Sequence, residues 1–83
     1  MPSKREFRFT PYFEVRVLRK RPYLTKELCI RAILQPLRIQ IQSDDRVRFW
    51  AIFPELGGRA LRVVTMRDRR TIHNAFIDRG FRP

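Results

Sequence analysis

A single histidine, His73, stands in a chain whose Lys and Arg number 19 against eight Asp and Glu. Imidazole is the side chain whose ordinary pKa lies near neutrality, and acid or base work in phosphodiester cleavage needs such a group within reach of a hydroxyl. Arginines around it would depress its pKa and stabilise a pentacoordinate, dianionic transition state. RNA supplies its own nucleophile, the 2′-hydroxyl, so this chemistry requires neither a metal nor a nucleophilic side chain. A lone histidine in a strand is also commonly a solvated or hydrogen-bonded structural residue, and both readings stand at this point. Other chemistry finds little support. Cys29 is the only cysteine, so no Cys/His cluster has metal-ligand spacing, and its place on an apolar stripe suits packing. Asp44-Asp45 has turn chemistry, and Gly57-Gly58 lacks the lysine and following helix of a phosphate loop. No metal or cofactor is expected.

The net charge of +11 comes mainly from sixteen arginines, and a guanidinium binds phosphate in a bidentate way and stacks on flat rings. The partner is therefore a polyanion: nucleic acid, an anionic membrane surface or an acidic protein. Membrane association is disfavoured because the charge runs Lys20-Arg21 and Arg69-Arg70 lack an apolar helix face beside them. No apolar run approaches the length of about 18 residues of a membrane span, and no apolar stretch follows the basic start. The expected location is the cytoplasm. An apolar share of 43% argues against disorder, and 83 residues leave room for one domain with a thin core, residues 1–6 and 78–83 being free to fray.

The elements that must position His73 follow from periodicity. Phe7 and Phe9 flank Arg8 as a short strand, and Thr10-Pro11 supplies an N-cap and a first helical residue. Over residues 11–20, Phe13 and Val17 lie four apart and Val15 and Leu18 three apart, leaving Glu14, Arg16 and Arg19 mainly to solvent. Thr25 caps a second helix over residues 26–35, with Leu24 and Cys29 placed as a hydrophobic staple, and Pro36 stops it. The period then changes to two. Strands are expected over 37–42, 46–53, 59–66 and 71–77, with short turns that make neighbours antiparallel. The sum is an α+β domain, β-α-α-β-β-β-β, with two N-terminal helices on one face of a mainly antiparallel sheet.

The other face would then carry the chemistry. With Val47, Phe49, Ala51 and Phe53 toward the helices, Arg46, Arg48 and Trp50 turn outward. Leu61, Val63 and Thr65 inward leave Arg62 outward, and Ile72 and Phe76, the better core residues, leave His73 outward. Arg59, Arg67, Arg69, Arg70 and Arg79 fall at the rims. Such a face suits single-stranded RNA, its arginines on phosphates and the Trp50 indole stacking a base, with His73, Arg62 and Arg48 as the catalytic set.

Several residues carry a resemblance. Thr10-Pro11-Tyr12-Phe13-Glu14-Val15-Arg16-Val17 resembles the segment of small bacterial BrnT- and RelE-like toxins in which a strand ending in Thr leads into a helix with a His-Ala-x-x-Arg-Met pattern, Thr10 and Arg16 matching. Pro36 matches the proline closing the second helix. Gly58-Arg59-Ala60-Leu61-Arg62-Val63-Val64-Thr65 is similar to the strand in which a glycine turn leads into Leu-x-Val-Val, and Thr71 to Phe76 looks like the final strand. The resemblance implies the toxin of a type II toxin–antitoxin pair, a metal-independent endoribonuclease held inactive by an acidic or amphipathic antitoxin, with the ribosome as a further partner. One departure matters: Tyr12 stands where the related helix carries histidine, so any cleavage that needed that histidine would be lost. The alternatives are a non-catalytic RNA- or DNA-binding module and a domain whose basic face docks an acidic protein.

Overall fold

Alternating apolar and polar side chains build the four later strands: β2, Arg38–Ile41; β3, Val47–Phe53; β4, Arg59–Thr65; and β5, Thr71–Ile77. Three tight turns make each neighbour antiparallel. Asp44 Oδ1 accepts the Arg46 N–H at 3.1 Å in the first, and Asp68 Oδ1 accepts those of Arg70 and Thr71 at 2.8 and 2.9 Å in the third. The middle turn passes through Gly57 and Gly58 at φ of 67° and 75°, where a side chain would be strained. The computed structural model describes residues 6–83, and β1, Arg8–Phe9, joins the far edge parallel to β5. The five-stranded sheet is therefore mixed, in the order β1-β5-β4-β3-β2. Residues 1–5 of the expected fraying segment lie outside the described residues.

The first helix begins at Thr10, whose Oγ1 accepts the Phe13 N–H at 3.1 Å. It opens α-helically at Pro11, with the Glu14 N–H on the Thr10 carbonyl, passes through a π-helical turn over Phe13–Val17, closed by the Leu18 N–H on the Phe13 carbonyl, and continues as α1, Leu18–Lys20. A π-turn holds one more residue than an α-turn. Phe13 and Val17 stay buried, but Val15 is left 52% exposed instead of packing with Leu18. The second helix, α2, runs Lys26–Leu34 from the N-cap Thr25, whose Oγ1 accepts the Leu28 N–H at 3.1 Å. Thr25→Ala is expected to cost about 1 kcal/mol in urea denaturation, with Thr25→Ser restoring most of it.

Both helices lie on one face: α2 against β3 and β4, the π-turn against β5. Between them sit Phe13, Val17, Leu28 and Cys29 from the helices and Phe49, Leu61, Val63 and Ile72 from the sheet, none more than 7% exposed. Burial pushes the Cys29 thiol up to about 12, so it stays protonated and serves packing.

The last strand departs from strict alternation. Val64 pairs with Asn74, but the next residue, Thr65, pairs with Ile72, so His73 is an extra residue without a partner on β4. Ile72 and Ala75 are consequently both fully buried on the helix side. Phe76, expected in the core, instead pairs with Arg62 on the opposite face, where Asn74 pairs with Val64. The Asn74 side chain accepts the Ala75 N–H at 2.9 Å, satisfying a donor at the irregularity.

The C-terminal segment is packed rather than frayed. Asp78 N–H bonds the Ala60 carbonyl, Asp78 Oδ1 accepts the Gly80 N–H, and Phe81 folds back over the sheet face opposite the helices.

Candidate nucleic-acid interface

Pairing across β3 and β4 places Arg48, Trp50 and Arg62 on the face away from the helices, as alternation requires. This face is not open at Trp50, which is only 5% exposed. Phe81 stacks on its ring at 5.7 Å between centroids, and its Nε1–H donates to Asp78 Oδ2 at 2.9 Å. Arg62 donates to the same oxygen from Nε and Nη2, at 3.1 and 2.8 Å, and lies over the Trp50 and Phe76 rings. The indole and Arg62 hold the Asp78 carboxyl below its ordinary value. Arg38 covers Phe81 at 4.9 Å and donates to the Arg82 carbonyl. Trp50 and Arg62 thus form the latch of the C-terminal segment, because an indole N–H and a guanidinium are the donors that satisfy a carboxylate there. Neither is available to a base or phosphate while that segment stays in place.

The remaining arginines disperse. Arg48 is half-buried and donates to Gln42 and Gln40. Arg59 donates to the Leu56 carbonyl, and Arg70 lies 3.9 Å from Glu6. Arg69 and Arg70 line a groove of about 440 Å³ with Ile33, Leu34 and Ile39, on the helix side and away from the rim where they were expected. Arg67 and Arg79 are exposed.

His73 sits where three elements meet. The bulge of β5 turns it to the end of β1, where its Nδ1 lies 3.0 Å from Thr10 Oγ1, and its ring stacks on Tyr12 at 4.9 Å and 28°. Its pKa is lowered from 6.5, first by partial burial and second by the charge of Arg46, so the ring is neutral at pH 7. Arg46 itself is half-buried with Asp44 at 3.8 Å. Thr10 accepts the Phe13 N–H while facing His73, so one hydroxyl both starts the first helix and orients the imidazole.

The groove beside this group contains residues that strand-based reasoning passed over. Tyr12, Val15, Arg16, Arg19, Lys20 and Arg21 line a cleft of about 840 Å³ along the first helix. Their recurrence every three or four residues carried the signal: Tyr12, Arg16 and Arg19 all line this cleft, and the Tyr12 ring joins it to His73. Among the described residues, no group of His, Cys, Asp and Glu could hold a metal ion, and no helix is long and apolar enough to cross a membrane. Compared with models of known protein families, with curated proteins and with solved structures, the chain matches none.

Proposed function

We propose that this domain is a metal-independent endoribonuclease of the type II toxin class, acting through His73. The observation that supports the reading is the grouping of a neutral, half-buried imidazole with Thr10, Tyr12 and Arg46. A hydroxyl both donates and accepts, so Thr10 suits either neutral tautomer. When Nδ1–H donates to Thr10, Nε2 presents a lone pair that takes the proton of a 2′-hydroxyl. The 2′-oxygen attacks phosphorus, the bond to the 5′-oxygen breaks, and the departing oxygen takes a proton from water, leaving a 2′,3′-cyclic phosphate. Arg46, whose charge helps to lower the imidazole's pKa, suits the developing charge on phosphate. Tyr12, in place of the histidine of the resembled helix, supplies a stacking surface instead of a second imidazole.

Incubation of labelled single-stranded RNA with the protein in EDTA tests the reading. Discrete fragments ending in a cyclic phosphate are expected, and a 2′-deoxy residue at the cut site should abolish the cut. RNA left intact, free and on ribosomes, would overturn it.

A second reading, docking of an acidic protein, has its own observation. The helices leave the edge strand β2 uncovered, so Leu37, Ile39 and Ile41 are 59%, 44% and 61% exposed, and Ile39 shares a groove with Arg69 and Arg70. The two readings are compatible in a toxin, whose antitoxin would be such a partner.

A further inference from the structure

We propose that the cleft along the first helix is the track for the phosphodiester backbone of single-stranded RNA leading to His73; this rests on the ribonuclease reading for the chemistry but not for the binding. Four cations line it, Arg16, Arg19, Lys20 and Arg21. Among the described residues no carboxylate pairs with any of them. The contrast with the rest of the surface is clear: Lys26 holds Glu14, Arg31 holds Glu55, and Arg62 holds Asp78. Glu14, the acid nearest along the helix, is drawn away by Lys26 at 2.8 Å. Unneutralised like charges on adjacent helical turns repel one another, and a polyanion relieves that repulsion.

The cleft also has an aromatic end. Tyr12 is 49% exposed although one face of its ring is covered by His73, so the exposure lies on its remaining face and edge. A nucleobase placed there continues the stack, and its neighbouring phosphates fall toward Arg16 and Arg19, which follow Tyr12 along the wall of the same cleft. Guanidinium groups with no fixed partner suit bidentate contact with phosphate. A single strand fits better than a duplex, because only an unpaired base offers its face to Tyr12. The π-turn, a feature often found at functional sites, lies in the wall of the cleft and carries Val15 and Arg16.

The test is fluorescence anisotropy of a labelled single-stranded RNA over a salt series, with wild type, Arg16→Ala/Arg19→Ala and the charge-matched Arg67→Ala/Arg79→Ala outside the cleft. Circular dichroism checks folding, which these exposed positions should not disturb. The cleft variant is expected to lose roughly tenfold or more in affinity, and its log K against log salt should flatten by about 0.7 per arginine removed. The control pair should change affinity far less. Equal binding by wild type and the cleft variant, or equal losses in both variants, would overturn the track. Preference for a polyglutamate peptide over RNA would also overturn it. Bound but uncut RNA with the flattened slope would leave the track standing and remove the nuclease, whereas cutting with an unchanged slope would do the reverse.

Discussion

His73→Ala is expected to reduce RNA cleavage by roughly 10²–10⁴-fold while leaving RNA affinity nearly unchanged. The imidazole is the acid/base group of the proposed site, whereas phosphate binding belongs to cations elsewhere. Folding should survive, since His73 is only half-buried and its one hydrogen bond is to a hydroxyl that the Phe13 N–H still engages. The pH profile separates this role from a structural one. A base must be neutral, and burial and Arg46 hold His73 below its ordinary 6.5. Activity should therefore persist through pH 6.5 and fall only as the pH drops through the lowered value. Arg46→Gln removes the smaller of the two causes, so the acidic limb should move part of the way toward 6.5. The fold follows the same sign: stability that depends on neutral His73 is complete above 6.5 and declines below it. An unchanged rate in His73→Ala would remove it from the mechanism.

The succession of strands and helices was legible because each period is carried by large residues. Thr25, Leu24, Cys29 and Pro36 mark α2 at both ends, and the α2 N-cap bond forms as the residues suggest. The outward places of Arg48, Trp50 and Arg62 follow from alternation along β3 and β4. What alternation could not show was availability. The segment after β5 has no periodicity, yet Asp78 and Phe81 cap Trp50 because a carboxylate and a phenyl ring complement an indole, a long-range match that no local pattern displays. The bulge was equally hidden, its one trace in the sequence being the polar Asn74 between Ile72 and Phe76. Inserting His73 moves Asn74 and Phe76 out and Ala75 in, so Ile72 and Phe76 no longer share a face. Residue type singled out His73 and Arg46, whereas Thr10, Tyr12 and Arg16 entered only through the resemblance and Arg19 was left to solvent. Those residues belong to another element, and the parallel pairing of β1 with β5 brings Thr10 and Tyr12 to the histidine.

Asp78→Ala should destabilise the domain by about 2–3 kcal/mol in urea denaturation, which corresponds to a Tm lower by about 4–8 °C for each kcal/mol at this size. The carboxylate collects four donor contacts, three on Oδ2 from Trp50 Nε1 and from Arg62 Nε and Nη2, and one on Oδ1 from the Gly80 N–H. Charged hydrogen bonds contribute roughly 1.5–3 kcal/mol each, but they are not additive, and Arg62, with its side chain 24% exposed, regains water when released. Asp78→Asn keeps an acceptor for the indole and should lose less. Because the folded carboxyl lies below 3.8, its contribution is complete above that value and is lost as the pH falls through the lowered one, so the gap between wild type and Asp78→Ala should close in acid. Trp50 is the only tryptophan, and its emission should shift to the red as Phe81 leaves. The same variant decides between two places for RNA. If the outer sheet face bound bases on Trp50, releasing the segment that covers it would tighten RNA binding. With the backbone carried by the cleft of the first helix, affinity should stay level while stability falls, and tighter binding by Asp78→Ala would return the interface to the sheet.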